Sequence, residues 1–271
     1  ILAQAVVFLS PGLPFLVVLA VGFDMLKPRL VYLPFRAMAE TTRFMFAYGG
    51  VKYDDEVVWG MEFATRRKRG DFPWDKVPAL HLQPDRALAQ SGALARYAAR
   101  LAGCYPEDPA AAAYSDSVFE LAQELCTINP MINCFVGPHF EGVKRQYFAG
   151  LGDSLDQLEK ELARCTKDDP EAQFFGGSTP THADFNVFHH LDNCSVVEPE
   201  LLHGTRWPGL GTWFYQMHEI PALAEYLQSR PKLDGVGEDP GLTDRNGVRI
   251  TQRTPGGLAH LVDGVFVFAA R

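Results

Sequence analysis

Tyr32 stands near the end of a short apolar stretch, LVYLP, just ahead of Pro34 and a run patterned as a helix. A phenol in that place can do one of two things. It can pack as an ordinary strand aromatic, or it can donate a hydrogen bond to a bound thiol. A free thiol has a pKa of about 8.5, so little thiolate exists at neutral pH, and a hydroxyl held against the sulfur favours the ionised nucleophile. On pattern alone Tyr32 reads as packing. Ser91 opens the helix-patterned SGALARYAARLAG and reads as its N-cap. The same hydroxyl, with the unpaired amides of a first helical turn, also suits a carboxylate. The basic run Arg66, Arg67, Lys68, Arg69 reads either as a solvated loop or as an anion contact. His189 and His190 lie within a helix pattern without partner spacing and read as structural, and Trp59 and Trp74 read as packing residues.

Composition narrows the classes of function. The chain has 271 residues with 47% hydrophobic and 12% aromatic residues, enough for a core of its own or for two modest domains. A formal net charge of −8 argues against nucleic acid as a partner. The five cysteines, Cys104, Cys126, Cys134, Cys165 and Cys194, show no C-x-x-C spacing. They indicate neither a metal site nor a complete disulfide framework and read as reduced core thiols.

The elements that would position these groups follow from periodicity. A short extended run over 29–33, a helix over about 37–49 and a β-branched, aromatic strand over 51–58 make a β-α-β opening. A loop leads to KVPALHL (76–82) and ALA (87–89), which read as a hairpin across the turn-like QPDR. A helix from Ser91 ends at Gly103. Beyond the linker 103–111 the pattern is helical: one face runs through Ala111, Val118 and Leu125, and another through Val143, Leu151, Leu155 and Leu162. Thr181 and Asp184 form a capping-box spacing ahead of an apolar helix, and residues 207–231 give two helices broken at Pro221. Domain boundaries are therefore 28–102 for an α/β domain and 110–231 for an all-helical one.

Both ends carry additions. Residues 1–23 hold only Gln4 and Ser10 as polar side chains, long enough for a kinked membrane span or a re-entrant hairpin despite Pro11, Gly12 and Pro14. A signal-peptide core and a buried soluble segment are the other readings, and a start at Ile1 reads as a processed or partly observed precursor. If residues 1–26 anchor the chain, Lys27 and Arg29 place the main domain on the cytosolic, stromal or matrix side of an organellar membrane, thylakoid or inner mitochondrial. Residues 232–271 are Gly-rich, and their apolar VFVFAA suits docking to a partner.

Taken in order, these stretches resemble the glutathione S-transferase family, most like its sigma class. VYLPFRAMAETTRFMFAYGGVKYDD is similar to the family's first strand and helix, KVPAL to its cis-proline strand, and QSGALARYAARLAG to its substrate-gripping turn and helix. TPTHADFNVFHHLD is similar to the capping box and buried helix of the second domain, and HEIPALAEYLQSRP to its closing form. The resemblance spans about Arg29 to Pro231 and implies a thioredoxin-like domain joined to an all-α domain, with glutathione as substrate. It implies Tyr32 as the thiol-activating donor, a cis bond at Pro78 that presents the backbone of Val77 to a peptide-like ligand, and Gln90 and Ser91 at a carboxylate. Trp59, Lys76 and the 66–69 run are placed at the other carboxylate. One departure stands out: where the sigma pattern keeps a second arginine that supports the tyrosine, this chain has Met38.

Two functions fit. One is a transferase that conjugates the glutathione thiolate to an apolar electrophile, as a homodimer if enzymatic, with an isomerase of the prostaglandin type as a variant. The other is a non-catalytic transferase-fold subunit of a photosynthetic or respiratory membrane complex, held through residues 1–26 and 232–271.

Overall fold

The computed structural model describes residues 27–34, 36–83, 86–125 and 140–230, with two further strands at Ala259–Val262 and Val265–Phe268. Strand β1 (Arg29–Tyr32) has β-branched and aromatic residues that suit burial on both faces, and from Leu30 to Tyr32 it is buried. Helix α1 (Ala37–Tyr48) crosses over to β2 (Asp54–Val57), parallel to β1. Strands β3 (Ala79–Gln83) and β4 (Arg86–Ala89) return antiparallel, giving a four-stranded sheet in the order β2-β1-β3-β4. Helix α3 (Ser91–Ala102) then lies on the same side of the sheet as α1 and stops at Gly103, whose φ of 72° is the left-handed value a glycine takes freely.

Alternation along the strands divides the core in two. Leu30, Tyr32 and Leu80 join α1, α3 and the helical domain in one large cluster, while Val31, Val58, Phe72 and Ala79 form a small cluster on the opposite face. That second face is covered by α2 (Gly60–Lys68), where the sequence pattern gives only a loop. Its charged residues hide the period: the helix is held by Phe63, packed on the small cluster with its ring 5.8 Å from Phe72, and by Arg66, which is buried against Asp71 and Glu56. Three smaller expectations are also corrected. The second strand is only Asp54–Val57, because the chain still turns at Gly50. Ser91 is the first helical residue rather than the N-cap, and that place belongs to Gln90, with φ of 74°. Trp74 does not pack, being 78% exposed in a turn over Pro73–Asp75.

The second domain follows the expected helical pattern. It comprises α4 (Pro109–Glu124), α5 (Phe140–Asp168), α6 (His182–Val197), α7 (Pro208–Glu219) and α8 (Pro221–Ser229). Asp108 caps α4 by accepting from the Ala111 amide at 2.8 Å. The capping box at α6 does more than end a helix. Asp184 is fully buried and accepts from the Thr181 amide at 2.8 Å, the Thr181 hydroxyl at 3.1 Å, the Phe175 amide at 2.9 Å and the Trp213 indole at 3.0 Å. Asp184→Ala would leave those buried donors without an acceptor, so we expect a loss of about 3 kcal/mol in urea unfolding, with Asp184→Asn losing less.

Cys104, Cys165 and Cys194 are free and buried, and burial pushes the thiols of Cys104 and Cys194 up to about 12, as suits inert core residues. Cys126 and Cys134, and the hydrophobic segment 1–26 read as an anchor, lie outside the described residues. Among the described residues no helix is long and apolar enough to cross a membrane. Of the 232–271 tail the structure describes only an antiparallel hairpin, β5 (Ala259–Val262) with β6 (Val265–Phe268).

Candidate functional site

Register gathers the candidate residues at one end of the sheet. Val31 stands opposite Ala79, and Ala79 opposite Ala89, so the next row across the three strands is Tyr32, Pro78 and Gln90. On the other side Tyr32 pairs with Val57, its carbonyl accepts from the Val58 amide at 2.9 Å, and Trp59 follows. The peptide Val77-Pro78 is cis, and Ser91 begins α3 directly after Gln90. Lys76 and Gln90 are exposed, Val77, Ser91 and Trp59 are half-buried, and Pro78 is buried. Residues far apart along the chain thus meet on one edge.

Tyr32 is the buried member, only 6% exposed. Its hydroxyl oxygen accepts a hydrogen bond from the Met38 amide at 3.4 Å, and among the described residues no acceptor takes its own proton. Burial pushes the phenol up to about 12, against smaller downward pulls from the Met38 amide and the Arg43 charge. The group is therefore neutral across the physiological range and available as a donor. Met38 changes meaning here. Against the sigma pattern it is a lost charge, but the support it gives comes from its backbone, which any residue at 38 except proline supplies, and the nearby positive charge is Arg43.

The Arg66–Arg69 run does not join this edge. Arg66 and Arg69 are bound to Asp71, and Arg66 also to Glu56, beside the opposite face of the sheet. Arg66 and Arg69 therefore stand away from the edge at which the resemblance puts the second carboxylate.

Two features have no signal in any single residue. The first is a cavity of about 10 Å³, room for one water, lined by Met38, Thr41, Ser91, Gln123, His189 and His190 among others. His189 and His190 are both buried; burial holds His190 at about 4 and, with the neighbouring positive groups, drives His189 well below the usual imidazole range, so both are neutral. The second is a buried ionic chain. Arg43, fully enclosed, binds Glu40 at 3.2 Å and Asp55 at 3.0 and 3.2 Å. Glu40 in turn accepts from Tyr226 at 3.2 Å and faces Arg230 at 3.6 Å, and Arg230 bonds Asp192 at 3.0 Å. The i, i+3 spacing of Glu40 and Arg43 is visible in the sequence, but their partners Asp55 on β2, Tyr226 on α8 and Arg230 just beyond it are not.

With its small mixed sheet, flanking helices and helical second domain, the chain has the glutathione transferase fold. Residues 141–229 match the family model described as glutathione S-transferase, C-terminal domain. Hematopoietic prostaglandin D synthase of Gallus gallus is 28% identical over 207 residues, covering 75% of this chain and 96% of that protein. A glutathione S-transferase of Dirofilaria immitis is 27% identical over 203 residues, covering 74% and 92%. The solved structure of the Pi-class glutathione S-transferase of Onchocerca volvulus superposes with a TM-score of 0.68 at 25% identity, covering 79% of this chain and 99% of that one. The chain is thus similar to glutathione transferases over about three quarters of its length.

Proposed function

We propose that the protein is a glutathione S-transferase of sigma-like character. Glutathione lies along the sheet edge, its backbone paired with Val77 beside Pro78, one carboxylate at Gln90 and Ser91, and the other end near Trp59 and Lys76. The Tyr32 hydroxyl donates to the sulfur and stabilises the thiolate, the thiol proton passes to solvent, and the sulfur attacks an apolar electrophile. The observation that carries this reading is the state of Tyr32: a neutral, buried phenol whose oxygen already has a donor and whose proton is uncommitted, in one row with Pro78 and Gln90.

Calorimetric titration of the full chain with glutathione tests it. Binding of one glutathione per chain is expected, weakened by Ser91→Ala and little changed by Tyr32→Phe. No binding by the unmutated protein would sink the proposal. The membrane-subunit reading rests on residues 1–26 and 232–271, and the described residues add no observation in its favour.

A further inference from the structure

The face of the sheet away from Tyr32 carries a polar groove of about 550 Å³ that the transferase reading does not use. Arg29 on β1, His81 on β3 and Ala87 on β4 stand side by side in register, on the same face as Val31 and Ala79. Helix α2 covers the Val31 end of that face and leaves this end open, with Arg66 and Asp71 forming one wall and Arg86 the other. We propose that this groove is a second binding site, for a small phosphate-bearing molecule, held by the Arg86 guanidinium and the His81 imidazole, with Arg29 and Arg66, already paired to carboxylates, lining it.

Three observations favour an anion. Arg86 is exposed and makes no ion pair among the described residues, whereas Arg66 is bound to Glu56 and Asp71, with Glu62 at 3.5 Å, and Arg29 faces Glu56 at 3.0 Å. The His81 Nε2 atom is buried and has no hydrogen-bond partner, an unmet capacity that a ligand oxygen would satisfy. The volume suits a small molecule rather than a lone ion, and planar guanidiniums match phosphate oxygens in pairs.

His81 also gives the site a pH signature. Burial, then the charges of Arg29 and Arg66, push its imidazole down, against Glu56 and Asp71 on the other side; Arg86 adds a further positive group on β4. A bound anion reverses that balance and draws a proton onto the ring, so affinity rises as pH falls through the imidazole range.

Pyrophosphate is the probe, titrated calorimetrically into the full chain with glutathione saturating. One pyrophosphate per chain is expected, bound more tightly at about pH 6 than at about pH 8, with affinity lowered about tenfold or more by Arg86→Gln. In the unmutated protein, NMR should show the His81 pKa rising when pyrophosphate is added. Absence of binding, an affinity indifferent to Arg86→Gln, displacement by glutathione, or preference for citrate over pyrophosphate would each overturn the assignment. The same affinity is expected when glutathione is left out, so the outcome stands apart from whether glutathione binds at all.

Discussion

Tyr32→Phe is expected to lower kcat/KM for conjugation by about 10- to 100-fold, because it removes one hydrogen bond to a charged sulfur and little else. The pH profile separates this from a loss of folding. In the unmutated protein the rate rises through the pKa of the bound thiol, and in the variant that rise moves up toward the free-thiol value of about 8.5. The donor is the neutral phenol, and burial keeps it neutral up to about 12. The rate should therefore hold its alkaline plateau rather than fall between about pH 8 and 10. An early alkaline decline, or a variant whose profile superposes on the original, would show that Tyr32 is packing after all.

Arg43→Met is expected to cost about 3–5 kcal/mol in urea unfolding, because it removes the guanidinium that binds both Glu40 and Asp55 and leaves Glu40 only the more distant Arg230 as countercharge. Glu40 is 1% exposed, so water cannot take the arginine's place. Coupling Glu40→Gln with Arg43→Met should recover part of that loss, since the buried charge goes with its partner. A surface pair offers the contrast. Arg206 and Asp156, bonded at 2.9 Å with the arginine exposed and the carboxylate half-buried, should lose no more than about 1 kcal/mol when Arg206 is replaced by Ala.

What the sequence made legible was whatever depends on local period and spacing. Strand β1, the break at Pro221 and the Thr181–Asp184 box come from neighbours along the chain, and the structure has each of them. The alignment of Tyr32, Pro78 and Gln90 was legible only through resemblance, because strand register is a relation between distant segments. Helix α2 was missed because its burial rests on one phenylalanine and on an arginine whose partners lie in β2 and the following turn. The hydrogen bond from Met38 to Tyr32 was hidden for a related reason: side-chain identity says nothing about a hydrogen bond made by a backbone amide.

The chain from Arg43 through Glu40 to Tyr226 has a consequence for synthesis. Glu40 and Tyr226 are separated by 186 positions, and Arg230 comes later still. A ribosome adding roughly 5–20 residues per second delivers α1 many seconds before α8. Through that interval Glu40 has Arg43 but neither Tyr226 nor Arg230, so its side of the first domain stays open to water until the closing helix arrives. Completion of the first domain is thus timed by the end of the second, and a nascent chain halted before Tyr226 should remain a substrate for chaperones rather than a finished domain.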